Sequence, residues 1–459
     1  MNSSLNDTIA AVATAPLPAG VAIIRLSGIQ AWNAAQQICP AFEEGAPRTA
    51  YYSNVVYDGE TLDHAVVIGF KAPASFTGQD VVEIQCHGGP ATVQAVLAAV
   101  LSQQGVRHAE AGEFTRRAVL NGKMDLTEAE GLADLIAAET EEQRKQALRQ
   151  LDGALGEQFE KWRQQIMALV AQVEAGIDFP DEELDILADE GIQKGIKTVI
   201  DSLQSSISTD AGERLRDGFR VVILGKPNAG KSTLTNLLSG KETAIVSPIE
   251  GTTRDVVETH LNIGGFPVVL ADTAGLRQSE DIIEQEGVKR ATRQAEQADI
   301  VIALVDAAEW PNVDETVQEY LQEGKSLVLV TKTDVTPVKV RETAKIGHLE
   351  LPVLAVNLQE FESLEPILEM LTEMVRKKFG KARESALLTR QRHRQAVMDA
   401  LQFLAQAKGL LENPRPDVSL SELLAQDLRS AANSIGTVTG HTGSEDVLDL
   451  VFSTFCIGK

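Results

Sequence analysis

The sequence predicts a multidomain α/β protein: an α+β N-terminal domain, an all-α helical domain, and a parallel-sheet α/β domain inserted into the helical one. Three observations carry this reading. Between residues 217 and 378, apolar strand-like runs alternate with loops and helical stretches. On either side, from Thr127 to Arg216 and from Ser385 to Phe455, Glu, Ala, Leu and Gln dominate, with apolar residues three and four apart. Before residue 120, short β-type runs mix with helices.

The length of 459 residues gives room for about three domains, and 43% hydrophobic residues supply their cores. A formal charge of −24 repels phosphate backbones, so the chain alone is a poor nucleic-acid binder. It carries no basic stripe interleaved with aromatics. Its three cysteines, Cys39, Cys86 and Cys456, give neither a disulfide framework nor a CxxC metal signature, which suits a reducing cytoplasm. The segment Met1 to Asp7 lacks the basic and apolar stretches of a leader, and no run approaches a membrane span. The terminal Cys456-Ile457-Gly458-Lys459 departs from a prenylation box at its last two positions.

In the N-terminal domain (residues 1–120), Val21 to Leu26, Ala65 to Phe70 and Asp80 to Cys86 read as strands. His87-Gly88-Gly89-Pro90 ends the last of them, and Ala91 to Leu101 is an alanine-rich helix. The first helical half (residues 121–216) opens on Thr127 and Glu130, spaced as a capping box. Within it, Trp162, Ile166, Leu169 and Val173 share a helix face, and Asp178 to Glu183 interrupts the helices. The second half (residues 379–459) places Leu401, Leu404, Leu410 and Leu411 inward. Neither half looks complete alone, so the economical reading is one helical domain with an insertion at residues 217–378. Two separate bundles are the alternative.

The insertion carries the chemistry. Phe219 to Leu224 is an apolar strand followed by Gly225-Lys226-Pro227-Asn228-Ala229-Gly230-Lys231-Ser232, the GxxxxGK[ST] phosphate-binding loop. Glycines let the backbone turn its N–H groups toward phosphate oxygens. Lys231 reaches the β- and γ-phosphates and the Ser232 hydroxyl coordinates Mg²⁺, with Ala229, Gly230 and Thr233 lining the same turn. Downstream, Gly251-Thr252-Thr253-Arg254-Asp255 stands where a switch segment would, with Thr253 closing on Mg²⁺ and the γ-phosphate. Val268 to Ala271 is a strand ending in Asp272-Thr273-Ala274-Gly275, where Asp272 holds Mg²⁺ and the Gly275 N–H senses the γ-phosphate. Ile300 to Val305 is another strand, and Leu327 to Val330 ends in Thr331-Lys332-Thr333-Asp334.

These elements match a Ras-like GTPase domain. Asp334 accepts from the N1–H and N2 donors of guanine, a pair that adenine lacks. Thr331 stands where Asn is usual, and its hydroxyl keeps donor and acceptor capacity at a modest loss. Ala355-Val356-Asn357 fills the place of Ser-Ala-Lys. The residue after Asp-x-x-Gly is Leu276, whose apolar side chain cannot orient a water as Gln does in Ras-like enzymes. Hydrolysis therefore needs another group, and Glu280, Asp281 and Glu284 follow closely.

The chain resembles the MnmE (TrmE) tRNA-modification GTPases over essentially its whole length. The resemblance is carried by Asp7-Thr8-Ile9-Ala10, Gly20 to Gly28, Ser75 to Glu83, His87 to Pro90, Gly112 to Ala118, Leu120 to Leu126 and the closing Phe455-Cys456-Ile457-Gly458-Lys459. It implies an N-terminal domain related to tetrahydrofolate-binding domains that forms the homodimer and holds a 5-formyl- or 5,10-methylene-tetrahydrofolate. Arg25, Glu83, Lys123 and Lys459 would be the folate contacts. A glutamate tail suits Arg or Lys, and a pterin amino-amide edge suits Glu83. Cys456 beside them is a candidate catalytic thiol, with a structural thiol as the alternative.

The resemblance further implies K⁺ in place of an arginine finger, held by Asn228 and by oxygens around Ser247, Ile249 and Thr252, and Glu284 orienting the water. The reaction would be aminomethyl or carboxymethylaminomethyl modification at C5 of the tRNA wobble uridine. The FAD- and NADH-dependent GidA/MnmG protein would be the partner that holds most of the tRNA, in a heterotetramer or larger complex. Two competing classes fit less well. An Era/Der-type ribosome-assembly GTPase would carry a basic RNA-binding module, and a dynamin- or septin-like scaffold would show membrane-binding or coiled-coil seams.

Overall fold

The computed structural model describes residues 7–15, 17–42, 46–178, 190–240, 258–271, 294–379, 388–412, 420–441, 448, 451, 452, 455 and 458. The chain divides into two compact units, one of Met1–Ala133, Gln150–Ala168 and Arg429–Lys459, the other of Asp134–Arg149 and Leu169–Leu428.

The first unit is built on a six-stranded sheet of β1 (Thr8–Val12), β2 (Val21–Ser27), β3 (Ala50–Tyr57), β4 (Glu60–Phe70), β5 (Val81–His87) and β6 (Val106–His108). Their order is β3-β4-β5-β2-β1-β6, antiparallel except for the β1–β6 pair. Strand alternation sends Ala22, Ile24 and Leu26, with Val82, Ile84 and Cys86, to the face covered by α1 (Ala31–Ile38) and α2 (Pro90–Leu101). The opposite face therefore receives the odd partners of the same strands, including Arg25 and Glu83. There α3 (Glu113–Leu120) contributes Phe114 to a small cluster with Ile9, Ala11 and Ala109. Burial pushes the Cys39 thiol to about 12 and the Cys86 thiol to about 11, so both are inert core residues.

Helix α4 (Leu126–Ala137) begins one residue before the expected cap. The capping box is Asp125 with Glu128: Asp125 Oδ1 accepts from Glu128 N at 2.8 Å, and Glu128 Oε2 accepts from Asp125 N at 2.6 Å. Thr127, expected as the cap, lies inside the helix and donates to Asp125 Oδ1 at 2.7 Å. A second box, unforeseen, opens α5 (Glu141–Leu151): Gln143 N donates to Thr140 Oγ1 at 3.4 Å while Gln143 Oε1 accepts from Thr140 N at 3.1 Å. In α6 (Ala154–Asp178) the face Trp162, Ile166, Leu169 and Val173 is buried as its spacing requires.

In the second unit, α7 (Glu190–Ile207) buries Ile192, Ile196, Val199 and Leu203 and packs along α12 (Gln391–Glu412). Of the four leucines expected inward on α12, Leu404 and Leu411 are buried and Leu401 and Leu410 only half-buried. The stripe is completed by Ala396, Val397, Ala400 and Ala407. Arg394 of α12 donates to the carbonyls of Ile207 and Thr209 at 2.9 Å each and pairs with Glu213 at 3.0 Å, tying α8 (Ala211–Asp217) to this pair. Helix α13 (Leu420–Thr439) follows.

Helix α8 leads into a seven-stranded sheet ordered β12-β13-β11-β10-β7-β9-β8. Its strands are β7 (Phe219–Gly225), β8 (Glu258–Ile263), β9 (Phe266–Ala271), β10 (Ile300–Asp306), β11 (Ser326–Thr331), β12 (Thr343–Ile346) and β13 (Leu349–Ala355). β9, β7, β10, β11 and β13 run parallel, as expected, while β8 and β12 close the edges antiparallel. Helices α9 (Lys231–Leu238) and α11 (Leu364–Phe379) pack on one face through Leu234, Ile367, Leu371 and Val375. The short α10 (Glu315–Gln318) adds Val317 to the other. Among the described residues no helix is long and apolar enough to cross a membrane.

Candidate functional site

β7 is a central strand paired on both sides, and the chain leaves its carboxyl end, where ligands collect in parallel α/β sheets, directly into the phosphate loop. Three residues there hold left-handed backbone: Gly225 at φ +156°, Asn228 at +63° and Gly230 at +101°. A Cβ on Gly225 would stand 2.7 Å from the Leu304 carbonyl of β10, so only glycine lets the loop pass the neighbouring strand. Helix α9 begins at Lys231 without a side-chain cap, which leaves its first N–H groups for an anion.

Lys231 Nζ lies inside this turn, donating to the carbonyls of Gly225 at 2.7 Å and Lys226 at 2.9 Å. Burial pulls its ammonium below the ordinary lysine value. Ser232, Thr233 and Asn228 are exposed around it, and Ala229 is buried. Two walls brace the loop. Lys226 pairs with Glu309 at 2.8 Å, and Leu358 lies close enough to touch a Cβ on Gly230 at 3.0 Å.

Thr331, at the end of β11, is 1% exposed, and its hydroxyl donates to the Ala229 carbonyl at 2.9 Å. A side chain so placed ties the loop after β11 to the phosphate loop. Lys332, at φ +59°, pairs with Asp306 at 2.6 Å, and Asp334 stands exposed in the turn that follows. Asn357 is engaged locally, donating to Glu360 at 2.8 Å. Gly225 to Thr233 thus sit in one turn joined through Thr331 to Lys332 and Asp334. Ser247, Ile249, Thr252, Thr253, Asp272, Thr273, Ala274, Gly275 and Glu284 lie outside the described residues.

A second constellation lies on the open face of the N-terminal sheet. Arg25 of β2 and Glu83 of β5 are direct cross-strand partners, and Arg25 Nε and a terminal guanidinium nitrogen both lie 2.9 Å from Glu83 Oε1. The guanidinium is flanked by the rings of Phe76 at 5.6 Å and Phe114 at 5.8 Å. Lys123 packs against Gly78 in the 73–79 loop and donates to the Pro73 carbonyl at 3.1 Å. Arg25 and Glu83 therefore stand side by side as one ion pair on this face. Lys459 and Cys456 lie outside the described residues.

What holds this face was not foreseen. Arg117, 1% exposed, donates to Asp7 Oδ1 at 2.6 Å, Glu113 Oε1 at 2.8 Å and Gln79 Oε1 at 3.1 Å. Arg107 pairs with the same two carboxylates at 2.6 Å each. Burial would raise the carboxyls of Asp7 and Glu113, but the two guanidiniums outweigh it and hold both below the usual range. Through Gln79 and Glu113 the cluster fixes the loop carrying Phe76 and the helix carrying Phe114. The i,i+4 spacing of Glu113 and Arg117 was a visible signal, but Asp7 is 110 positions away in sequence.

The model for the TrmE N-terminus of GTP-binding proteins matches residues 8–123, and that for the MnmE helical domain matches residues 126–456. The chain belongs to the MnmE (TrmE) family. It is 44% identical to the tRNA modification GTPase MnmE of Rhodospirillum rubrum, over 99% of both chains. With the protein of the same name from Parvibaculum lavamentivorans it shares 46%, over 99% of this chain and 100% of that one. A mitochondrial 5-taurinomethyluridine-[tRNA] synthase subunit of Danio rerio is 39% identical over 99% of this chain and 93% of its own. Among solved structures, an Aquifex aeolicus Era variant bound to GDP.AlF4- matches 34% of this chain and 56% of its own at 26% identity, with a TM-score of only 0.26. In this member of the MnmE family the matched helical segment encloses the whole seven-stranded sheet, the insertion that the sequence predicts.

Proposed function

We propose that the protein is a K⁺-dependent GTPase that, with an FAD-dependent partner of the GidA/MnmG kind, modifies C5 of the tRNA wobble uridine using a tetrahydrofolate one-carbon unit. The observation that carries the GTPase reading is the phosphate turn: left-handed backbone at Gly225, Asn228 and Gly230, with Lys231 inside it and the uncapped α9 behind it. The relatives' names, tRNA modification GTPases, support tRNA as the substrate. The domain reading is that residues 1–120 bind folate and pair with a second copy. Residues 121–216 and 379–459 form the helical domain, and residues 217–378 the G domain.

Within the G domain, Lys231 gives up its two carbonyl acceptors for the β- and γ-phosphates. The N–H groups of the loop and α9 face the same oxygens. Ser232, exposed on the first turn of α9, with Thr253 and Asp272, would hold Mg²⁺. Asp334 reads guanine on a loop that Thr331 fastens to the phosphate turn. Asn228 is exposed with the backbone its position demands, so its amide oxygen is available to a monovalent cation together with oxygens of Ser247, Ile249 and Thr252. A K⁺ held by these oxygens would supply positive charge to offset that developing on the phosphates. Glu284 takes the water-orienting role that Leu276 cannot fill.

On the N-terminal face, the Arg25–Glu83 pair presents its remaining guanidinium N–H groups beside a carboxylate, suited to an amide-like carbonyl and its neighbouring N–H. Such an edge occurs on a pterin. Lys123, and Lys459 from the C-terminus, would take the anionic tail. A chain of charge −24 grips tRNA poorly, which fits delegation of most tRNA contacts to a partner. The test is GTP turnover in KCl against NaCl at matched ionic strength. Faster turnover in K⁺, lost in Asn228→Ala, is expected. Equal rates in the two salts contradict the cation mechanism.

A further inference from the structure

The two strands that continue the nucleotide-sensing segments end in a turn held fast at both sides. Thr253 precedes β8 by five positions, and Asp272 directly follows Ala271, the last residue of β9. β8 and β9 pair without a register break from Glu258↔Ala271 to Ile263↔Phe266. Six residues of strand span about 20 Å, so the far end lies well away from any phosphate. β9 also pairs in parallel with the phosphate-loop strand β7. The ribbon therefore has little freedom to absorb displacement at one end without passing it to the other.

The turn itself is Gly264-Gly265, at φ +58° and +88°, a two-residue hairpin connection with both residues left-handed. Asn262 Oδ1 accepts from Gly265 N at 3.0 Å and locks it. On one side a Cβ at Gly264 would collide with the Thr372 side chain of α11. On the other, the Gly265 carbonyl accepts from Glu142 N, the second residue of α5, at 3.1 Å. The first four N–H groups of a helix lack partners within it. In α5, Gln143 N and Arg144 N are served by Thr140, so for Glu142 N the hairpin supplies the acceptor.

We propose that this hairpin tip is the contact through which nucleotide state in the G domain reaches α5, the Glu142 N–H···Gly265 carbonyl bond being the coupling element. A ribbon wedged between Thr372 and the first turn of α5 cannot slide along its own axis without lengthening that bond. The inference rests on the GTPase reading, and nucleotide binding is scored separately in its test.

The test is amide hydrogen exchange of the full-length protein with GDP and with a non-hydrolysable GTP analogue, both with Mg²⁺ and KCl. Amides 143–148 report the coupling, and amides 229–234 report nucleotide binding. The expected result is about a five-fold difference in exchange at 143–148 between the two states, the scale of one net hydrogen bond. Glu142→Pro removes the donor at a first-turn position where proline is tolerated, and should abolish that difference. Glu142→Ala keeps the N–H and should preserve it. Gly264→Ala, which displaces the same tip from the α11 side, should abolish it too. Protection at 229–234 with no nucleotide dependence at 143–148 overturns the coupling, as does a difference that survives in both Glu142→Pro and Gly264→Ala. Absence of protection at 229–234 removes the GTPase reading and the coupling with it.

Discussion

At the phosphate turn the geometry is set by the backbone: Gly225, Asn228 and Gly230 adopt left-handed angles, and the side chains that would meet a ligand stand exposed or half-buried around them. On the N-terminal sheet it is set by side chains. Arg25 lies against Glu83 between two aromatic rings, and both rings are carried by elements that buried Arg117 ties together. The difference has a consequence for mutation. A backbone-built site separates function from stability, because its reactive side chains contribute little to packing. A site resting on a buried ion cluster couples the two.

The largest effect is expected at Arg117. Replacing it with Ala leaves Asp7 and Glu113 partly uncompensated in a buried setting, at a cost of about 3–5 kcal/mol. A denaturant titration reads this as a lower midpoint for the transition of the N-terminal unit. The same cluster sets an acid limit. Asp7 and Glu113 are depressed in the folded state, so their contribution is complete above the unfolded carboxylate range, near pH 4. It is lost as pH falls through that range toward the folded values. Thermal midpoints should hold between pH 7 and about 5 and then fall, and less steeply in Arg117→Ala.

At the phosphate turn, Lys231→Ala should lower GTP turnover on the order of 10²–10³-fold while leaving the midpoint of the second unit's transition unmoved. An equal loss of stability would contradict the separation of function from packing. Smallest is Thr331→Val. It keeps the shape but removes the donor to the Ala229 carbonyl, so nucleotide affinity should weaken about ten-fold, the scale of one unsatisfied buried acceptor. A titration with a fluorescent GDP analogue checks it.

The same contrast explains what could be read in the sequence. The phosphate loop is local: one strand, one turn and one helix start, with each residue type dictated by its own backbone position. β2, the second half of β4, β5, β7, β9, β10 and β11 were equally plain from their apolar runs, whereas β1 and β13 were not read as strands. β3, with its two neighbouring tyrosines, and β6, of three residues, gave too weak a pattern. Arg25 and Glu83 are 58 positions apart, and only strand register brings them together. The shift of the α4 cap from Thr127 to Asp125 reflects two acceptor residues competing for one helix start, which spacing alone does not decide. Thr331 was legible as a departure from Asn, yet its partner Ala229 sits in the phosphate loop 102 positions earlier, brought near only because parallel pairing sets β7 and β11 on either side of β10.

The central claim is that one chain carries two separable ligand sites, a nucleotide site on the inserted sheet and a folate site on the N-terminal sheet. The most direct measurement is a pair of calorimetric titrations, one with a non-hydrolysable GTP analogue and one with 5-formyl-tetrahydrofolate, on the wild type, Lys231→Ala and Arg25→Ala. The account predicts that the wild type binds both, that Lys231→Ala loses only the nucleotide, and that Arg25→Ala loses only the folate. Folate binding unchanged in Arg25→Ala, or absent from the wild type, would contradict it.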